Sequence, residues 1–315
     1  MYPHSKPVPY QVLHLLIPAI AFIGNGAVVY VTIRSKALRS PCNILISLVS
    51  LSDMVVVCAE PLAAAYHNIV RSDTVSSTTC IYLQLPSTFA ACTSPMFLLA
   101  AALDRRLCLM RFYNAMLASY PKRYLAAQIL PGCIIGIALD VAVLINLKAE
   151  QQVICSLATP MMGPISSVYT KSVMIVCMII ILSNASFILF LRKLRMSSET
   201  AKSAHRSVFL ICMTVVLGYF SAMVIFFMRE LLNLDVDLLN WSTFAGLFAY
   251  VSFSVNFFVY YTISKEYRAA FDELLGIGRA KAFLCRRKRI GDQTPVNLPS
   301  TSRNNIVAIS VTHAN

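Results

Sequence analysis

The sequence predicts an all-α membrane protein, a bundle of seven transmembrane helices, and three observations lead to this fold class. The 315-residue chain is 57% hydrophobic and 13% charged, whereas soluble domains carry about 25% charged residues. It shows none of the short alternating segments typical of a membrane β-barrel. It contains instead seven mostly apolar windows, each close to or above the roughly 20 residues that a helix needs to cross a bilayer. These windows are approximately residues 12–33, 43–66, 78–103, 124–147, 168–191, 207–231 and 241–263.

Basic residues predict the orientation of the bundle, because cytoplasmic loops are enriched in Lys and Arg. All but five of the 27 Lys and Arg residues lie on the side that the chain reaches after the first helix. The five on the other side are Lys6, Arg71, Lys148, Lys171 and Arg229. We therefore expect a multi-pass plasma-membrane protein with an extracellular N-terminus and a cytoplasmic C-terminus. The same topology accounts for the net charge of +13, and nucleic acid is not expected as a partner.

The windows divide the chain into four parts. These are an extracellular N-terminus, the seven-helix domain, a membrane-surface helix and a cytoplasmic tail, at residues 1–11, 12–263, 264–275 and 276–315. In the third part, Tyr267, Phe271 and Leu274 are spaced to share one face of a helix opposite charged residues. This pattern predicts a short amphipathic helix after helix 7 that lies on the inner leaflet.

The cytoplasmic tail carries two signals. Its segment "CRRKR", residues 285–289, is a basic cluster beside the membrane and favours contact with anionic lipids. Cys285 within it is a candidate palmitoylation site, and a free thiol is the alternative. From about residue 290 the tail is rich in Ser, Thr, Asn and Pro, a composition typical of disordered chain.

Two of the ten cysteines fall on the expected extracellular side, where disulfide bonds form. Cys80 opens the third helix, and Cys155 lies in the loop after the fourth. The other cysteines lie within the windows or on the reducing side. We expect Cys80 and Cys155 to form a disulfide bond that ties this loop to the third helix. The alternative is two free thiols.

Polar residues at mid-membrane depth are costly to bury and mark functional or tightly hydrogen-bonded sites. Asp53 lies in the middle of the second window. Residues at comparable depth in three other helices are Asn25, Ser94, Ser252 and Asn256. Oxygen atoms around a carboxylate make this cluster a candidate sodium site, and no other metal or cofactor is expected. The alternative is a hydrogen-bonded structural cluster with a neutral Asp53.

The sequence shows no catalytic constellation. It contains no metal-spaced histidine pair, no nucleophile beside a base and no phosphate-binding loop. We therefore do not expect an enzyme.

Short motifs occur in a fixed order along the helices. They are Gly24-Asn25, "LVSLSD" ending at Asp53, Cys80 at the start of the third helix, "DRR" from Asp104, and "NFFVY" from Asn256 to Tyr260. In this order they resemble the rhodopsin-like (class A) G-protein-coupled receptors. More closely, "RSPCNILISLVSLSD", "YLQLPSTFAAC" and "ALDRRL" look like the nematode chemoreceptor-type group Srsx, over about residues 12–275.

The resemblance implies a receptor that binds an extracellular ligand and activates a heterotrimeric G protein. It also implies an activation switch, formed by Asp104, Arg105, Asn256 and Tyr260. In the resting receptor Arg105 would pair with Asp104, and after helix 6 moves outward Arg105 would contact the G-protein α subunit. Arginine suits this exchange because its guanidinium is always charged and binds several oxygen partners.

Helices 6 and 7 depart from the family pattern. The sixth window lacks the Trp and Pro of the family, and Tyr219 and Phe220 are candidates for the place of the Trp. In the seventh window, Phe257 stands where the family has a proline. Because proline kinks a helix, these departures leave open a seven-helix protein that is impaired in signalling. A second alternative is a small-solute or ion transporter that uses Asp53.

The resemblance also limits the ligand. Amine receptors of this class carry an aspartate at the position of Ser87, so a simple protonated amine is not expected. No lysine lies between residues 241 and 263, which excludes a retinal Schiff base. Depth alone places a candidate ligand cavity among Glu60, Gln84, Ser87, Thr88 and Tyr250. Its ligand is expected to be a small chemosensory compound or a short peptide.

Overall fold

The computed structural model describes residues 8–72, 74–108, 110–147, 151–161, 163–193, 215–232 and 238–279. Within these residues, six helical stretches are long and apolar enough to cross a membrane, and the shorter apolar helix Gly218–Arg229 is a seventh. The six are Leu15–Arg34, Pro41–Val70, Ser77–Leu107, Pro121–Ile145, Pro164–Phe190 and Phe244–Ile263. The predicted seven-helix membrane bundle is therefore confirmed.

The described part of the chain is almost entirely helical. Its α-helices are α1 Val8–Arg34, α2 Pro41–Val57, α3 Ala59–Val70, α4 Ser77–Leu107, α5 Tyr113–Ser119, α6 Pro121–Ile145, α7 Pro164–Lys193, α8 Ser221–Leu231, α9 Leu238–Ile263 and α10 Lys265–Leu274. Short 3₁₀ helices cover Lys36–Leu38 and Thr159–Met161, and a π-helix at Val215–Phe220 leads directly into α8. Two short strands, β1 Val75–Ser76 and β2 Gln152–Val153, pair antiparallel.

The second predicted window is split into α2 and α3 at Cys58. Pro61 explains the break, because its ring has no N–H to donate and clashes with the carbonyl of Val57, four residues earlier. The Cys58 amide bonds instead to the carbonyl of Val55 at 3.3 Å. The backbone of Cys58 stays in the right-handed helical region (φ −76°, ψ −15°). The break therefore tightens one turn and leaves a single membrane-spanning stretch.

Serine caps set the start of three helices. The hydroxyl groups of Ser40, Ser76 and Ser264 accept a hydrogen bond from the backbone N–H three residues on, at the starts of α2, α4 and α10. Such caps satisfy one of the amides that a helix start leaves unpaired. At α2 the first helical residue is Pro41, which suits this position because its missing N–H would be unpaired there.

Helix α4 is the centre of the bundle and packs against α2, α6 and α7. Its contact with α6 depends on Gly136, where a Cβ atom would lie 2.8 Å from the ring of Phe89 and 2.9 Å from the methyl group of Thr93. Two helices approach this closely only where one of them has no side chain. Gly136 therefore sets how α4 and α6 face each other.

Helix α10 packs its apolar face against protein. Tyr267 and Phe271 are fully buried, in a helix that contacts α1 and α9. The charged face also contacts protein, because Arg268 Nε donates to the carbonyl of Tyr261 at 2.9 Å and the Tyr261 hydroxyl donates to Asp272 at 2.7 Å. The amphipathic helix expected on the inner leaflet is thus attached to the end of α9. The basic cluster and Cys285 lie outside the described residues.

The two ends of α4 define the two ends of the bundle. At its start, Cys80 and Cys155 form a disulfide bond with a Cα–Cα distance of 5.4 Å, beside the β1–β2 pair. At its other end lie Asp104 and Arg105. We refer to the end that holds Cys80 as the disulfide end and to the opposite end as the Arg105 end.

Candidate functional site

A cavity of about 130 Å³ opens between the helices on the disulfide side of the bundle. Residues of α2, α3, α4, α7, the π-helix, α8 and α9 line it, and the segment 156–158 after Cys155 forms part of its wall. Most of the wall is aliphatic or aromatic. Among the lining residues that the structure describes, Glu60 is the one with an acidic or basic side chain.

Below the cavity, Asp53 is the centre of a buried hydrogen-bond network, and its side chain has no solvent exposure. Its Oδ1 accepts from the Ser94 hydroxyl at 2.8 Å and from the Tyr219 hydroxyl at 2.9 Å. Its Oδ2 accepts from the Asn256 amide at 3.0 Å. That amide also donates to Asn25 at 3.3 Å. The network therefore joins α1, α2, α4, the π-helix and α9.

Tyr219 belongs to both the cavity and the network. Its ring lines the cavity, and its hydroxyl is one of the donors to Asp53. Tyr219 lies in the π-helix, and π-helical turns occur frequently at functional sites. The neighbouring residue Gly218 lies against α9, where a Cβ atom would clash with the Ser252 hydroxyl. This close approach brings Tyr219 next to Phe253, with ring centroids 5.6 Å apart.

At the Arg105 end, Asp104 and Arg105 have different hydrogen-bond partners. The buried Asp104 carboxylate accepts from the hydroxyls of Tyr113 at 3.2 Å and Tyr124 at 2.6 Å. Burial and the nearby Asp104 carboxylate raise the pKa of Tyr113, which keeps its phenol protonated as a donor. Arg105 Nε donates to Cys42 Sγ at 3.0 Å. In place of the expected hydrogen-bonded pairing of Arg105 with Asp104, Oδ1 of Asp104 accepts from two tyrosines of α5 and α6, and Arg105 binds Cys42 of α2.

The remaining two residues of the expected switch lie along α9. Asn256 takes part in the Asp53 network. Tyr260, one turn further on, is buried and packs its ring 5.2 Å from that of Tyr267 in α10. The hydroxyl of Tyr267 lies 3.2 Å from that of Thr32 in α1. Helix α9 therefore connects the Asp53 network to the helices at the Arg105 end.

The cavity, the buried network and the basic Arg105 end occur in a chain that matches one known family over most of its length. The sequence model of the family described as serpentine type 7TM GPCR chemoreceptor Srsx matches residues 19–275. The chain belongs to this Srsx family. No curated protein sequence matches it. The resemblance expected from the short motifs is confirmed, and the Srsx chain is a multi-pass membrane protein of a receptor family.

In this Srsx receptor, two of the five predicted cavity residues line the cavity. These are Glu60 of α3 and Tyr250 of α9. Both project from helices that face the centre of the bundle on the disulfide side. Their helices are rotated so that both side chains reach the cavity.

The other three predicted cavity residues do not line this cavity. Gln84 and Ser87 are buried, and each donates to a backbone carbonyl of the α2–α3 stretch at 3.2 Å. Thr88 is also buried and donates to Asp140 of α6 at 2.7 Å. These side chains hold α4 to its neighbours. Depth in the membrane does not show which way a helix is rotated, and the rotation of α4 directs them away from the cavity.

The predicted polar cluster is mostly brought together, with one difference in membership. The structure joins Asn25, Asp53, Ser94 and Asn256, whereas Ser252 lies against Gly218 and is not one of the three donors to Asp53. The third donor is Tyr219, which sequence analysis named only as a candidate for the missing Trp. Its hydroxyl is the one polar side-chain group of "LGYF", but nothing in the sequence places it beside Asp53.

Proposed function

We propose that this Srsx receptor binds a small molecule in the cavity and in response activates a heterotrimeric G protein at the Arg105 end. One observation supports this most directly. Tyr219 lines the cavity and also donates a hydrogen bond to Asp53 at 2.9 Å. A ligand in the cavity touches the same side chain that completes the buried network. Ligand binding and the packing of the bundle are therefore linked through one phenol.

The size of the cavity favours a small molecule over a peptide. Its volume is about 130 Å³, whereas pockets for drug-sized ligands measure about 300–1,000 Å³. An engineered cavity of about 150 Å³ takes up benzene. A ligand of one small ring fits this space, and a short peptide does not.

The route from the cavity to the Arg105 end runs through the Asp53 network and α9. Asp53 binds Asn256, and Tyr260 one turn on packs against α10. A ligand shifts the equilibrium between two packings of the helix bundle only if it binds one of them more tightly than the other. Tyr219 would contact the ligand as well as Asp53. A ligand that binds more tightly when the Tyr219 phenol is displaced therefore stabilises the helix packing in which the hydrogen bonds to Asp53 are rearranged. Arg105 would then leave Cys42 and contact the G protein.

The same network favours a structural role for Asp53, as the shared acceptor of several hydrogen bonds, over a sodium site. Three protein donors already point at the carboxylate. The group nearest Oδ2 is an amide N–H of Asn256, which repels a cation and cannot coordinate it. A sodium ion at Oδ2 would require this amide to turn away. We therefore assign Asp53 the role of acceptor for the donors on three other elements.

The same arrangement supports the expected membrane orientation. Disulfide bonds persist in oxidising surroundings, which supports an extracellular disulfide end. The basic residues cluster towards the Arg105 end, which supports a cytoplasmic position for that end. The cavity then faces the outside, and Arg105 faces the G protein.

Replacing Tyr219 with phenylalanine tests this proposal. Phe keeps the ring in the cavity wall and removes the hydrogen bond to Asp53, which contributes about 1.5 kcal/mol. We expect the maximal ligand-driven nucleotide exchange to fall about tenfold. The measurement uses surface-verified receptor with a promiscuous G-protein reporter and a panel of one-ring amines, alcohols and carboxylates.

Tyr250→Phe is the matched control for Tyr219→Phe. Tyr250 lines the same cavity, but it is not one of the three donors to Asp53. It should retain most of the maximal response even if ligand affinity changes. A full response from Tyr219→Phe would contradict the proposed link, and silence of the wild-type receptor towards the whole panel would contradict the small-molecule function.

Replacing Cys42 with alanine is expected to raise nucleotide exchange in the absence of ligand. The thiol is the acceptor that holds Arg105 Nε, and losing a hydrogen bond of about 1 kcal/mol raises the population of the released state about fivefold. Cys42→Ser keeps an acceptor and should stay near the wild-type level. Cys108→Ala is the control, because Cys108 Sγ donates to the Arg105 carbonyl and does not bind the guanidinium. Equal basal exchange in Cys42→Ala and wild type would show that the thiol does not restrain Arg105.

A further inference from the structure

The charge of the cavity wall distinguishes between classes of ligand. Glu60 is the one acidic or basic side chain among the described lining residues, and it lies in the first turn of α3. In a site surrounded by apolar groups, a carboxylate interacts with a ligand charge more strongly than it does in water. A cation is therefore favoured there, and an anion is repelled.

The aromatic side chains of the wall point to the same class. The lining includes Tyr169, Tyr250, Phe226 and Phe253 from three helices. The face of an aromatic ring attracts a cation, with more effect when water is excluded. The same rings pack well against a flat apolar group. A ligand with a positive end and an apolar body matches both properties.

Two methionines make the wall adaptable without adding charge. Met161 and Met223 line the cavity from the segment before α7 and from α8. Methionine is flexible and polarisable and packs favourably against aromatic rings. These side chains adjust to the shape of a ring, but they offer no strong hydrogen bond to a carboxylate or a phosphate.

We propose that the cavity takes a compact amine, with a protonated nitrogen bound by Glu60 and a single small ring packed among the aromatic side chains. This proposal rests on the proposed function only in using the same cavity. It reverses the expectation, drawn from Ser87, that the ligand is not a simple protonated amine. The carboxylate that binds the amine is on α3 and not on α4. Ser87 itself is turned towards the α2–α3 stretch and bonds to a backbone carbonyl at 3.2 Å.

The test compares three compounds of nearly equal size that differ in charge: benzylamine, benzyl alcohol and benzoate. Binding is measured as the thermal stabilisation of full-length receptor in lipid nanodiscs, and activity as nucleotide exchange on added G protein. We expect benzylamine to bind about tenfold more tightly than benzyl alcohol, and benzoate to bind least. The opposite order, equal affinities, or no stabilisation by benzylamine at millimolar concentration overturns the proposal.

Variants at Glu60 make the test specific for this carboxylate. Glu60→Gln keeps the size and shape of the side chain, and it should lower benzylamine affinity about tenfold while leaving benzyl alcohol affinity unchanged. Glu60→Asp keeps the charge and should retain the preference for the amine. An unchanged benzylamine affinity in Glu60→Gln overturns the assignment, and unchanged benzyl alcohol affinity shows that the variant is folded.

The two readouts separate this proposal from the proposed function. If benzylamine stabilises the receptor without stimulating exchange, the ligand class holds and the receptor function fails. If benzyl alcohol or benzoate stimulates exchange better than benzylamine does, the receptor function holds and the ligand class fails.

Discussion

Replacing Asp53 with alanine is expected to lower ligand-driven nucleotide exchange about hundredfold. The change removes the acceptor of the bonds from Ser94, Tyr219 and Asn256, and the two from Tyr219 and Asn256 alone contribute about 3 kcal/mol to the coupling. Asp53 does not line the cavity, so ligand affinity should change much less than exchange. The measurement pairs thermal stabilisation by ligand with exchange on the same purified receptor.

Two further variants show whether a fall in nucleotide exchange in Asp53→Ala is caused by the lost hydrogen bonds. Asp53→Asn keeps one oxygen for Ser94 and Tyr219 but turns an N–H towards the amide of Asn256. We therefore expect its nucleotide exchange to lie between that of wild type and that of Asp53→Ala. Glu273→Ala removes an exposed acid from α10 and should leave exchange unchanged. Full exchange in Asp53→Ala would contradict the network as the coupling route. A wild-type solute current that Asp53→Ala abolishes, with no dependence on a G protein, would instead support a transporter.

Removing the disulfide bond is expected to destabilise the receptor by about 4 kcal/mol. The bond joins residues 75 positions apart, and a long loop gains much chain entropy in the unfolded state when it is released. The double variant Cys80→Ser with Cys155→Ser tests this through the free energy of unfolding in detergent titrations and the amount of receptor at the cell surface.

The disulfide variant should also weaken ligand binding. The segment 156–158 follows Cys155 directly and forms part of the cavity wall, so releasing Cys155 frees one side of the cavity. Cys108→Ser is the matched control, because Cys108 is an exposed free cysteine at the opposite end of α4. A double variant that unfolds and binds like wild type would show that the β1–β2 pair holds the loop without the covalent bond.

Some local features could be predicted because their signal is contained in a few neighbouring residues. The split at Cys58, which the window 43–66 does not show, depends on the nearby Pro61, and the start of α2 depends on Ser40 and Pro41. These effects act through backbone hydrogen bonds within one turn. The membership of Tyr219 in the Asp53 network could not be predicted in this way, because it depends on the π-helix and on the contact of Gly218 with Ser252, 34 positions away along the chain.

The partners of charged side chains also depended on contacts between distant elements. The motif resemblance implied that Asp104 binds Arg105, its neighbour in sequence. In the structure the carboxylate binds Tyr113 and Tyr124, and Arg105 binds Cys42 of α2. Both phenols donate to the same carboxylate oxygen, Oδ1 of Asp104, and the arginine binds a different acceptor.

The sequence by itself determined the seven spans, the two cysteines available for pairing and the buried position of Asp53. In lipid a backbone must satisfy its hydrogen bonds within helices, so apolar length and the placement of polar residues are enough for these results. Only the tertiary structure decided which side chains face the cavity. The rotation of each helix is set by side-chain packing, as at Gly136 against Phe89, and this packing turns Thr88 towards α6 and leaves Glu60 at the cavity wall.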